Sequence, residues 1–300
     1  MDRRQAIKTA ALAGVATALG RLAPGLHATT DAAAASNGPS PAKGDSFKHS
    51  VCYWCCRMPL DKLAAAAGKI GLQSIELLTV EEIPVVQKLG LSCACAYGAK
   101  ETRSIDNGFN RRSNHDKFVE AYENAVAKCA ELGVPNVICF SGKRNKGQSD
   151  EEGLKICAEG LKRIMPAAEK AGVTLIMELL NSKVNHKGYQ CDRTKWGVEL
   201  VKRVGSERFK LLYDIYHMQV MEGDVIRTIR ENHKYIAHYH TAGNPGRNEF
   251  ESQDVQELNY PAIMKAIHDT GFRGYVGQEF NPKRKLLASL ENAVKICTVS

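Results

Sequence analysis

From Phe47 onward the hydrophobic positions follow one repeating order: apolar residues at three- and four-residue spacing, a glycine, two or three residues, then a short unbroken apolar run. The first spacing marks the buried face of a helix, and the second marks a strand covered on both faces. The order is explicit at Lys69-Ile70-Gly71 before Ser74-Ile75-Glu76-Leu77-Leu78, at Lys88-Leu89-Gly90 before Leu91 to Ala96, and at Glu131-Leu132-Gly133 before Asn136 to Phe140. It returns at Ala171-Gly172 before Val173 to Met177 and at Thr270-Gly271 before Tyr275 to Gln278. A glycine just past a helix supplies the left-handed C-cap that other residues adopt at a cost. With the less regular units added, the pattern predicts strands near 47–53, 73–78, 91–96, 136–141, 173–178, 209–214, 235–240 and 274–279. Helices are predicted near 59–70, 81–89, 114–132, 150–171, 192–204, 223–232, 259–270 and 285–297. Eight alternations of strand and helix define an α/β fold, a single-domain (β/α)8 TIM barrel over 47–300. An open doubly wound sheet is the alternative. It normally carries a Gly-rich phosphate loop after its first strand, and here that place holds Cys55-Cys56-Arg57-Met58-Pro59.

The chain ahead of the barrel reads differently. Asp2-Arg3-Arg4-Gln5-Ala6-Ile7-Lys8 precedes an apolar run from Ala10 to Leu19 and then Leu26-His27-Ala28. Paired arginines, a short apolar region and a small-residue cleavage site make residues 1–28 a twin-arginine export signal, with the periplasm as destination. Its apolar run is too short to span a bilayer, which takes roughly 20 helical residues, so no stable membrane insertion is expected. Residues 29–46 are mostly Ala, Ser, Gly, Thr and Pro and read as a flexible linker.

Composition narrows the partners. Hydrophobic residues at 44% and charged residues at 25% suit an ordinary globular chain. Of the net charge of +8, Arg3, Arg4, Lys8 and Arg21 against Asp2 contribute three, which leaves +5 for the remainder. A surplus that small, with Lys283-Arg284-Lys285 as its one basic block, predicts no nucleic-acid partner. The ten cysteines are scattered, and several lie in apolar runs where a thiol packs as a small hydrophobe. Cys52-x-x-Cys55-Cys56 is the one suggestive cluster, and no second pair follows it to complete a zinc site.

In a barrel the C-terminal strand ends converge on one mouth, so polar residues that terminate apolar strands are the candidate site. Leu175-Ile176-Met177 runs into Glu178, Lys210-Leu211-Leu212-Tyr213 into Asp214, Ile236-Ala237-His238-Tyr239 into His240, and Tyr275-Val276-Gly277-Gln278 into Glu279. Three carboxylates meeting there would repel one another unless a cation lay between them. A divalent metal resolves the conflict with the imidazole as fourth ligand, and an oxygen-rich set suits Mn²⁺, Co²⁺ or Mg²⁺.

These residues also carry a resemblance. Glu178-Leu179-Leu180-Asn181-Ser182 with Gly188-Tyr189, Tyr213-Asp214-Ile215-Tyr216-His217-Met218-Gln219 with Glu222-Gly223-Asp224, and Ala242 to Glu249 with Glu257-Leu258-Asn259-Tyr260 resemble the hydroxypyruvate isomerase family of xylose-isomerase-like TIM barrels. The resemblance implies metal ligation by Glu178, Asp214, His240 and Glu279, an acid/base pair in Glu178 and Glu279, and substrate oxygens bound by His217 and Arg247. It implies proton transfer between adjacent carbons of a small hydroxy-carbonyl compound, a keto acid such as hydroxypyruvate or a ketose, through an enediolate. His240 stands where hydroxypyruvate isomerases usually carry Gln and ketose 3-epimerases carry His, and Phe250 stands where Pro is usual. Both departures keep the reaction class and leave the substrate open. Three rivals stand beside the isomerase: a ketose 3-epimerase, a non-catalytic sugar-binding barrel, and a DNA-repair phosphodiesterase, which would need more histidines than the nine present. A homo-oligomer is compatible with every one of these readings.

Overall fold

The computed structural model describes residues 46–250 and 255–299, which belong to one compact unit. Residues 1–45, on which the expected export signal and nearly all of the expected linker fall, lie outside the described residues. Parallel strands β1 (Lys48–Cys52), β2 (Ser74–Glu76), β3 (Asn136–Cys139), β4 (Thr174–Leu179), β5 (Phe209–Asp214), β6 (Ile236–Thr241) and β7 (Tyr275–Gln278) form one sheet in the order β2-β1-β7-β6-β5-β4-β3. Helices α1 (Leu60–Ala67), α2 (Ile83–Gln87), α3 (His115–Glu131), α4 (Asp150–Ala171), α5 (Thr194–Val204), α6 (Ile215–Met221), α7 (Val225–Asn232), α8 (Tyr260–Asp269) and α9 (Leu286–Cys297) connect them.

The third predicted strand, 91–96, is not a continuous strand, yet it closes the ring between β2 and β3. Backbone N–H groups of Ile75 and Leu77 donate to Ser92 and Cys95 carbonyls, at 3.1 and 2.7 Å, while Ala96 donates to Asn136 and accepts from Ile138. At Ala94 side chains replace the ladder: its N–H donates to Ser74 Oγ (2.8 Å), and its carbonyl accepts from Asn136 Nδ2 (2.9 Å). Small, weakly strand-forming residues from Ser92 to Ala96 are the physical reason. The architecture is therefore the expected eight-fold barrel, with one strand reduced to bridges at Ser74–Ser92, Leu78–Ala96 and Ala96–Val137.

Helices appear where the apolar spacing placed them. The five glycines read as C-caps all take left-handed φ, from 67 to 87°. Gly172 closes α4, whose first turn is capped by Ser149 Oγ accepting from Glu152 N–H (3.1 Å). Sequence reasoning missed α6, because Ile215–Met221 follows β5 without any intervening turn residue. All ten cysteines are free and buried, in keeping with their reading as packing groups. No helix among the described residues is long and apolar enough to cross a membrane.

Candidate metal centre and active-site cleft

Strand register brings the predicted ligands together. Asp214 pairs across the sheet with His240, which pairs with Gly277, and Glu178 sits on β4 opposite Leu212. Glu279 follows β7 directly and is tied to β6 by its N–H donating to the Thr241 carbonyl (2.9 Å). One ligand atom from each of Glu178, Asp214, His240 and Glu279 lies within 4.8 Å of all the others, and every one of these residues is buried.

Each member is aimed by a second contact. Asp214 is the N-cap of α6: its Oδ1 accepts from the His217 N–H (3.0 Å), which leaves Oδ2 facing inward. His240 is oriented by Glu76, whose Oε1 lies 2.8 Å from His240 Nε2 and 2.7 Å from His238 Nε2. A carboxylate can only accept there, so Nε2 carries a proton and Nδ1 turns toward the ligand cluster, 3.0 Å from Glu279 Oε2 and 3.6 Å from Glu178 Oε1. Gly277 is what lets this pair fit, since a Cβ there would stand 2.9 Å from both Glu76 Oε1 and His240 Cδ2. On Glu279, Trp54 Nε1–H donates to Oε1 (2.8 Å) and Arg247 Nη2 to Oε2 (2.5 Å). Arg247 also reaches Asp214 Oδ2 (3.4 Å), and its guanidinium lies over the rings of Trp54 and Tyr216, 5.3 and 5.6 Å from their centroids.

Burial and neighbouring charge set the protonation states. Burial pushes the Asp214 carboxyl up to about 8 against the pull of Arg247, and burial likewise raises Glu178. Glu279 goes the other way: burial opposes its charge, but Arg247 and His240 hold it well below the usual range. Glu76 is likewise held below that range, burial notwithstanding, by His238 and His240. Burial also opposes charge on His240, yet Cys52 and then Glu279 and Glu178 raise it well above its ordinary value, and burial pushes the adjacent Cys52 thiol up. His217 is pushed well below its ordinary value by burial.

Two buried atoms at the centre, Glu178 Oε1 and His240 Nδ1, make no hydrogen bond. Unpartnered buried polar atoms are costly, and three carboxylates with one imidazole form an oxygen-rich donor set. The residues present therefore fit a divalent cation. Above them opens a cleft of about 250 Å³ walled by Trp54, Leu77, Tyr97, Ile105 and Phe140, with Glu178, His186, Arg247 and Glu279 at its polar side.

The four expected ligands thus meet in one place, with Arg247 against two of them and His217 Nε2 3.7 Å from Asp214 Oδ2. Glu76, Cys52, Trp54, His186 and Asn181 escaped sequence reasoning. Glu76 had a legible signal, being the lone acid inside an apolar run, but the others were found as residues that end such a run, and Leu77-Leu78 follow Glu76. Cys52, whose Sγ lies 3.5 Å from His240 Nε2, gave none beyond its cluster with Cys55 and Cys56.

The class defined by this fold and cluster is a TIM barrel carrying a buried carboxylate–imidazole centre at its strand ends. The chain belongs to the xylose isomerase-like TIM barrel family, which it matches over residues 64–295. Among curated relatives, the hydroxypyruvate isomerase of Escherichia coli K12 is 30% identical over 175 residues, 58% of this chain and 66% of that protein. The 2-oxo-tetronate isomerase of Cupriavidus necator is 35% identical over 132 residues, 44% of this chain and 49% of that protein. Both matches span less than two thirds of the relative's own length. A solved structure of the IolI protein with a bound zinc atom superposes at a TM-score of 0.65 with 17% identity, covering 84% of this chain and 98% of that one.

Proposed function

We propose that the protein is a divalent-metal-dependent isomerase of a small hydroxy-carbonyl compound, of the hydroxypyruvate or 2-oxo-tetronate kind or a ketose. The observation that carries this reading is the closed set Glu178, Asp214, His240 and Glu279 with two unpartnered buried polar atoms among its members, and the isomerases among its relatives support it. Those four residues would hold the ion, which when bound supplies Lewis-acid stabilisation of negative oxygens on the substrate. The side chains do the rest. Glu279, kept ionised by Arg247 and His240, takes the carbon-bound proton, and the C–H electron pair becomes the double bond of an enediolate. Glu178, whose environment raises its affinity for a proton, returns one to the neighbouring carbon, a division of labour that follows from environments pushing two carboxyls apart. The hydroxyl proton passes from one substrate oxygen to the other, and the proton left on Glu279 returns to Glu178 through solvent. Arg247 and the neutral His217 hold substrate oxygens, and the apolar wall excludes water.

Removing metal, verified by elemental analysis, is expected to abolish turnover of hydroxypyruvate and of a panel of unphosphorylated ketoses, and Mn²⁺, Co²⁺ or Mg²⁺ to restore it. Full activity in the metal-free protein would refute the reading. Apparent metal affinity should rise with pH, because the ion must displace the proton that burial places on Asp214, at about 8, and the one held on His240 by its neighbours. Titration calorimetry across pH 5 to 9 reads this as proton release that fades toward the alkaline end, and His240→Ala should weaken binding throughout.

A ketose epimerase is the second reading. Its support is the cleft, where Arg247 is the one permanently charged cation among the described lining residues and the wall is largely carbon. Turnover of ketoses but not hydroxypyruvate would select it.

Export through the twin-arginine route is also proposed, from Arg3-Arg4 and the short apolar run that follows. Arg3→Lys with Arg4→Lys is expected to trap the precursor inside the cell, and unchanged periplasmic recovery would refute it.

A further inference from the structure

The direction of the fully buried Asn181 side-chain amide can be read from the backbone around it. Its Oδ1 accepts from the backbone N–H groups of Val184 (3.0 Å) and Asn185 (2.9 Å). Backbone N–H groups only donate, so the atom facing them is the carbonyl oxygen and the NH2 points the other way. That nitrogen lies 2.7 Å from Asn185 Oδ1, which also accepts from the Tyr216 hydroxyl (3.0 Å), and 2.6 Å from His217 Nδ1. An amide N–H offers nothing to accept with, so His217 Nδ1 must be the acceptor and its proton must sit on Nε2. The other neighbours of the ring, His186 and Tyr216, meet it only through ring contacts at 5.3 and 5.1 Å. His217 Nε2 is buried without a hydrogen-bond partner, beside Asp214 Oδ2.

We infer that Asn181 is a positioning residue that locks His217 in its Nε2–H tautomer, so that a neutral N–H donor faces the substrate beside the metal ligands. The inference rests on the isomerase reading for its purpose, though not for its geometry. A preorganised neutral donor stabilises charge as it develops on a substrate oxygen without surrendering a proton to it. The opposite tautomer would turn a lone pair toward the same oxygen and repel it.

Asn181→Asp tests the device while keeping the loop, because one carboxylate oxygen can still accept from Val184 and Asn185. The other oxygen can only accept from His217, so Nδ1 must take a proton. Nitrogen NMR of ¹⁵N-labelled protein, with the His217 signal identified by its loss in His217→Asn, should show a protonated Nε2 and an unprotonated Nδ1 in the wild type. Asn181→Asp should protonate Nδ1. In Asn181→Ala, where Nδ1 has no enforced donor, a mixture of tautomers is expected, and this variant serves if the aspartate fails to fold. With a confirmed substrate and saturating metal, Asn181→Asp should lower kcat on the order of 10²-fold, with a smaller change in KM.

A wild-type His217 protonated on Nδ1, or one whose tautomer ignores both substitutions, overturns the inference. So does unchanged kcat in a variant whose tautomer has switched. If no compound is turned over at all, the isomerase reading fails while the NMR result still decides the tautomer.

Discussion

Glu279→Gln, measured with metal occupancy confirmed in the same sample, is expected to lower turnover at least about 10²-fold, the usual worth of a positioned acid/base group. The amide keeps the side-chain volume and one neutral oxygen, but it cannot take a proton from carbon. Trp54 and Arg247 both donate to the present carboxylate, so the glutamine amide nitrogen would also meet a donor and the Arg247 contact would weaken. Exchange of the substrate's carbon-bound proton with deuterated solvent should fall with turnover in Glu279→Gln. Glu178→Gln should lose as much turnover yet retain more exchange, since proton abstraction at Glu279 survives. Wild-type turnover and exchange in both variants would take the acid/base roles away from Glu178 and Glu279, whereas turnover without any exchange in the unmodified protein would point to a hydride shift instead.

The second large effect concerns Glu76, which touches no substrate. It is fully buried, and its Oε1 serves two imidazoles at once. Removing one partner of a buried charged pair leaves the other uncompensated, at about 3–5 kcal/mol, so Glu76→Ala should lower the melting temperature by on the order of 10 °C. Metal affinity should also fall by about 10- to 100-fold, because His240 loses the carboxylate that fixes its ring. The pH dependence carries a definite sign. A carboxyl held below its ordinary value of 4.5 stabilises the fold fully above that value, and the stabilisation fades as pH falls below it toward the lower folded-state value. Glu76→Gln should therefore flatten the acid limb of the stability curve relative to the wild type. An unchanged melting temperature with unchanged metal affinity would show that the two histidines are held by something else.

Trp54 illustrates why some of the site was hidden. Its indole donates to Glu279, 225 positions away in sequence, and its exposed ring borders the cleft. Nothing in Tyr53-Trp54-Cys55 distinguishes such a tryptophan from a packing residue, because the partner is supplied by the far end of the barrel. Asn181 was visible as part of a recognisable string, but its task depends on which way the amide faces, and that is set by the turn at Val184 and Asn185.

Local rules carried the sequence far: apolar spacing and C-capping glycines placed the helices and most strands, and an acid or imidazole ending an apolar run identified Glu178, Asp214, His240 and Glu279. Those signals suffice because periodicity and burial cost act within a few residues. Only the tertiary structure decided the rest. It reduced 91–96 to bridges, since Ser74 and Asn136 satisfy Ala94 in place of a strand ladder. It made Asp214 a helix cap as well as an inward-facing carboxylate, and set Glu76 beneath His240, where Gly277 leaves the room. Contacts of that kind depend on register and barrel closure, which are fixed by strands brought together from opposite ends of the chain, so no local stretch of sequence contains them.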